Sequence, residues 1–117
     1  MAVSAERSST IIFTGDVTGT ETASAAKNIS SPGTIEVKTL GSGANTITVP
    51  TGGTIPSAVT IIPPAGNTVT LTLKGVTGDT GVALHLTDPT IVALATSVST
   101  FCLTTNNILT GIRFIWS

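Results

Sequence analysis

Asn67-Thr68-Val69-Thr70-Leu71-Thr72-Leu73-Lys74 alternates without a break, with Val69, Leu71 and Leu73 on one side and Thr68, Thr70, Thr72 and Lys74 on the other. Side chains of a strand leave the backbone on opposite faces with a period of two, so this stretch predicts a half-buried β-strand rather than a helix. The same period continues outward in both directions. Upstream it puts Ile35 and Val37 on the apolar side of residues 34–40, Ile47 and Val49 on that of 45–49, and Val59 and Ile61 on that of 58–62. Downstream it groups Val82, Leu84 and Leu86, then residues 91–94, then Phe101 and Leu103, and last Ile112, Phe114 and Trp116. With residues 10–14 this makes about nine short strands.

Between the strands stand Ser31-Pro32-Gly33, Gly41-Ser42-Gly43, Gly52-Gly53, Pro63-Pro64-Ala65-Gly66-Asn67, Gly78-Asp79-Thr80-Gly81 and Asp88-Pro89. Gly reaches positive φ and Pro fixes φ, so each cluster reverses the chain cheaply, and the Gly clusters at 41–45 and 51–54 read as hairpin turns. Ala23, Ala25 and Ala26 hint at a helix over residues 21–29, but the Ser and Thr around them oppose it, and a loop or extended arm is expected there. The predicted fold is therefore all-β, a single antiparallel β-sandwich, jelly-roll-like, of about eight to nine short strands. A flexible N-terminal arm is expected over residues 1–8, with the sandwich domain over 9–117.

Composition narrows what such a domain does. The 117 residues carry a net charge of −1, only 9% are charged, and mean hydropathy is +0.48. An ordinary soluble domain is about 25% charged, so something else occupies the exterior. Thr supplies it, at 24 of 117 positions, and suits the open face of a sheet. Arg7, Lys27, Lys38, Lys74 and Arg113 are too few and too scattered to neutralise a run of phosphates, and there is no Tyr to stack on bases. Nucleic acid is not an expected partner. Apolar runs stop after about five residues, far short of the roughly 20 of a membrane helix, so no membrane partner is expected. The start of the chain lacks a basic segment followed by an apolar one, so no secretory signal is read there.

The chemistry-bearing residues assemble into little. His85 has Asp88 three positions on and Asp79 six before, but no strained Gly-x-Ser-x-Gly elbow accompanies it, and between Leu84 and Leu86 it reads as a surface or interface side chain. Asp79 and Asp88 fit turn chemistry better than a cation site, and a lone Cys102 between Phe101 and Leu103 reads as an inert buried thiol. No catalytic residue, metal or cofactor is expected. The last strand is different: Ile112, Phe114 and Trp116 share one face, while Ile115 lies on the other beside Arg113. A strand apolar on both faces is covered twice.

The stretches Ile61-Ile62-Pro63-Pro64-Ala65-Gly66-Asn67-Thr68-Val69-Thr70-Leu71-Thr72-Leu73-Lys74-Gly75, Gly78-Asp79-Thr80-Gly81-Val82-Ala83-Leu84-His85 and Thr110-Gly111-Ile112-Arg113-Phe114-Ile115-Trp116 resemble small structural proteins of tailed-bacteriophage virions, over about the last sixty residues. The resemblance implies a non-enzymatic virion component, of capsid decoration or tail and baseplate type. It implies assembly in symmetric copies, a trimer or higher, against other virion proteins such as a capsid or tail protein. Interface candidates are Ile11 and Phe13, the face of Thr68, Thr70 and Thr72, and the last strand with Ile112, Arg113, Phe114, Ile115 and Trp116. The competing expectation is a carbohydrate or cell-surface binding module of a tail fibre or spike, with Trp116 as its aromatic anchor.

Overall fold

In the computed structural model all regular structure among the described residues is β-strand. The structure describes residues 3–13, 19–29, 35–51 and 55–117, the first two segments by their backbone alone. The strands are β1 (Val3–Phe13), β2 (Gly19–Ile29), β3 (Ile35–Leu40), β4 (Gly43–Thr48), β5 (Ala58–Ile62), β6 (Leu71–Lys74), β7 (Val82–Ala83), β8 (Thr90–Ala93), β9 (Thr100–Thr105) and β10 (Leu109–Trp116). Two antiparallel four-stranded sheets, in the orders β3-β10-β5-β8 and β4-β9-β6-β7, face each other. The main pairings are nested: β3 with β10, β4 with β9, β5 with β8, β6 with β7. A chain paired this way is one long hairpin rolled up on itself, the jelly-roll order. The all-β sandwich expected from the alternation is thus the observed fold.

Local details depart from the sequence reading, each for a visible reason. Residues 67–70 are not strand. Asn67 Nδ2 donates to the carbonyls of Val69 (2.9 Å) and Leu86 (2.8 Å), and its Oδ1 accepts from Val69 N (2.9 Å), so the amide substitutes for a neighbouring strand. β6 begins only at Leu71, which leaves Thr68 and Thr70 on a loop and Thr72 alone of the three on a strand. β7 ends after two residues, because the His85 ring accepts from the N–H groups that follow it. The Gly41-Ser42-Gly43 cluster is not a hairpin turn, since β3 and β4 belong to different sheets. It is a corner, held by Asn45, whose Oδ1 accepts from Gly41 N and whose Nδ2 donates to the carbonyls of Gly41, Gly43 and Leu103. Residues 52–54 of the next Gly cluster lie outside the described residues.

The amino-terminal third differs most. Residues 21–29, expected as loop or arm, lie in β2, which pairs with β1 from Val3↔Ile29 to Phe13↔Gly19. β1 runs through the boundary placed at residue 8, and this hairpin forms a sheet of its own, joined by ladder hydrogen bonds to neither sheet of the sandwich. The sandwich itself begins at Ile35.

Its core is built from Leu40, Ile47, Val59, Ile61, Leu71, Leu103, Ile112, Phe114 and Trp116, with Val49, Phe101 and Leu109 completing it. β10 supplies the most, and can do so only because of Gly111. Leu109 and Ile112 differ in parity, so unbroken alternation would send one of them outward. The register slips between Thr110 and Ile112, where Gly111 at φ 84° forms a bulge that resets the phase and turns both inward.

Candidate interaction surface

Pairing partners across a ladder point to the same face, so the registers define what each sheet shows to the outside. On the outer side of β3-β10-β5-β8 one row reads Ile35, Ile115, Thr60, Ile91, and the next reads Val37, Arg113, Ile62. Ile35, Val37 and Ile91 are 60%, 68% and 49% exposed, Ile62 and Ile115 are half-buried, and Arg113 is exposed. Strands lie about 4.8 Å apart and alternate residues about 7 Å, so these side chains form one continuous aliphatic patch around a single cation. The outer side of β4-β9-β6-β7 is of another kind. There the registers place Ala44, Thr46 and Thr48 beside Thr104, Cys102 and Thr100, and Thr72 and Lys74 beyond them. One face of the sandwich is aliphatic and the other is a Thr sheet.

The aliphatic face exists because β3 is turned over relative to the sequence expectation. Ile35 and Val37 point out, while Glu36 and Lys38 share the inner side with Leu40. Glu36 is held there by two contacts: Trp116 Nε1 donates to its Oε1 at 3.0 Å, and Lys38 Nζ lies 3.3 Å from its Oε2. The indole N–H requires an acceptor when buried, and the edge strand provides it. Alternation alone reports that two faces differ, not which is buried, and at an edge strand a polar partner for Trp116 outweighed two aliphatic side chains.

This geometry sorts the expected interface residues. Ile112, Phe114 and Trp116 are 0–1% exposed inside the sandwich, so they form its core and are not available to a neighbour. Trp116 packs on Phe114, near-parallel at 6.3 Å, and on Phe101, tilted at 6.2 Å. It is no open platform for a sugar. Arg113 and Ile115 do lie on the outer face. Thr68 and Thr70 are exposed but on a loop, with Thr70 N donating to Asn106 Oδ1 at 3.0 Å, and Thr72 is half-buried on the Thr sheet. Ile11 and Phe13 fall on β1, whose side chains lie outside the described residues. Missed altogether were Ile35, Val37, Ile62 and Ile91; Ile62 was legible as the odd member of the Val59, Ile61 alternation, and Ile35 and Val37 were not.

The groups weighed for chemistry are occupied by the fold. His85 Nδ1 accepts from Asp88 N at 2.9 Å and from Thr87 N at 3.2 Å. Asp88 Oδ1 lies farther from the same ring nitrogen, at 3.7 Å. Asp79 Oδ2 accepts from Val76 N at 3.1 Å within its own turn. Cys102 is buried, with Sγ 3.9 Å from Thr104 Oγ1. Among the described residues no three His, Cys, Asp or Glu side chains gather as a metal site would require. Compared with protein-family models, curated proteins and solved structures, the chain gives no match.

Proposed function

We propose that this chain is a non-enzymatic structural subunit of a tailed-phage-type virion, working by packing against copies of itself and against a larger protein shell or tail. The observation that carries the reading is the aliphatic outer face of β3-β10-β5-β8, in a chain with little charge to keep such a face in water.

Magnitudes indicate what kind of assembly suits it. Burying an Ile or Val completely is worth about 1.5–3 kcal/mol, and Ile35, Val37 and Ile91 keep about half or more of their surface exposed. Covering them supplies about 1 kcal/mol each, a total near that of a millimolar contact before the cost of association is counted. One such patch does not sustain a dimer. Repeated around a ring or across a lattice it does, because each subunit is then held at several contacts at once. Arg113 is the one ionised group in the patch, so little charge has to be desolvated when it is covered.

Sedimentation of the pure protein, alone and with particles of a phage that encodes it, tests this. The expected result is a trimer or larger species, or a monomer that co-sediments with the particles. A monomer at every concentration that ignores the particles overturns it.

A further inference from the structure

The two sheets do not close on each other along one edge. β7 has two residues and β8 four, and each is the last strand of its sheet. Between them lies a cleft of about 580 Å³. Its walls are Leu73 and Val82 on one side, opposite each other across β6 and β7, and Val92 and Leu94 on the other. Its floor is Val59, fully buried, and Phe101, 6% exposed. The cleft is thus the core continued to the surface, in the size range of pockets that enclose small organic ligands.

What fits there follows from what the walls lack. Backbone N–H and C=O groups of a sheet point along the sheet toward the next strand, so the space between two sheets meets side chains only. The side chains of walls and floor are all hydrocarbon. A peptide backbone entering that space leaves its own N–H and C=O groups without partners, whereas a hydrocarbon chain has none to satisfy. At about 30 Å³ for a methylene-sized group, close to the share of one water in the liquid, fewer than about twenty such groups fill the cleft. One aliphatic chain fits, and the two of a bilayer lipid do not.

The charged residues that border the cleft, Lys74 and Asp79, flank the turn between β6 and β7. Asp79 is turned into its own loop, with Oδ2 accepting from Val76 N and standing 3.1 Å from where a Cβ on Gly75 would be. The Lys74 ammonium has no ion pair or hydrogen bond among the described residues. Its stem runs across Gly81, where a Cβ would stand 2.6 Å from Lys74 Cγ. Gly81 directly precedes the edge strand β7, so the stem carries the ammonium toward the open edge. An unpaired cation at the rim of a hydrocarbon cleft complements an amphiphile with an anionic head. We infer that the β7–β8 cleft binds a single-chain aliphatic carboxylate, with the chain between the sheets and the head at Lys74.

This site is separate from the aliphatic outer face, because alternate residues of β8 serve the two: Ile91 points outward and Val92 into the cleft. Either can fail without the other.

Isothermal titration of the full chain with decanoate, hexanoate and decyltrimethylammonium tests the inference. Phe101 packs on Trp116, so indole fluorescence gives a second readout. Decanoate is expected to bind with a Kd of about 0.1 mM, and hexanoate, four methylenes shorter, about a hundredfold more weakly. Decyltrimethylammonium, with the same chain and the opposite charge, is expected to bind at least threefold more weakly than decanoate. Lys74→Gln is expected to weaken decanoate about fivefold and to remove that preference. Val82→Trp, at a position 64% exposed, is expected to fill the mouth and weaken decanoate tenfold or more while the thermal transition stays that of the parent. No binding of decanoate up to about 2 mM overturns the inference. So does equal affinity for the two decyl amphiphiles, or full affinity for decanoate in either variant.

Discussion

At the scale of residues, a few side chains act as fixed points because nothing nearby can replace them. Trp116 joins its ring contacts with Phe101 and Phe114 to a hydrogen bond that reaches an edge strand. Trp116→Ala is expected to lower the free energy of unfolding by about 3–5 kcal/mol, read from urea denaturation. Glu36→Ala, which leaves the indole N–H without its acceptor, is expected to cost about 1 kcal/mol, at the low end because Glu36 is itself partly in water. Two glycines separate conformation from space. Gly111 has φ 84° with only Pro64 Cβ near a would-be Cβ, at 3.9 Å, so Gly111→Ala costs the left-handed backbone alone, about 1–2 kcal/mol. Gly81 has φ 77° and its Cβ would stand 2.6 Å from the Leu73 carbonyl oxygen, so Gly81→Ala is expected to lose clearly more in the same experiment. Equal losses would show that the β6–β7 turn yields. Neither glycine was distinguishable by sequence from those that merely fill turns, since φ and neighbours belong to the folded chain.

At the scale of elements, what alternation conveys is a phase, and the phase is anchored only where something breaks the symmetry of the two faces. The two faces of β10 from Ile112 on were legible, Ile112, Phe114 and Trp116 on one and Arg113 and Ile115 on the other, because aromatic mass weighs one side, whereas its start at Leu109 and the bulge at Gly111 were not. β5 kept its expected bounds because Pro63-Pro64 ends it. β3 was inverted, and β6 and β7 were shortened by Asn67 and His85, whose side chains bond to backbone that alternation had assigned to a ladder. The inversion of β3 makes the aliphatic face, so the face is testable there. Val37→Asp with Ile91→Asp is expected to reduce the sedimenting mass, or the binding to particles, by tenfold or more in concentration, with little change in unfolding because both side chains already face water. Thr46→Asp, on the Thr sheet, is the control and is expected to change neither; if it acts as strongly, the contact lies on the other side of the sandwich.

At the scale of the molecule, the nested pairing sets how the fold is reached. The bond between Glu36 and Trp116 closes 80 residues, and only β6 and β7 are joined directly as neighbours within one sheet of the sandwich. Loops of that length are closed before most contacts compensate them, so refolding is expected in milliseconds to seconds, followed by Trp116 fluorescence after dilution from urea. A microsecond phase carrying the full signal would contradict a transition that waits for β3 and β10 to meet. Charge, Thr content and a period of two were enough, by themselves, to determine an all-β sandwich, because composition and parity are local properties of the chain. Which aliphatic residues face outward, where Trp116 finds its acceptor and which edge stays open were decided only by tertiary structure. Each depends on strands far apart in sequence lying side by side, and a single shift of phase or edge exchanges core for surface.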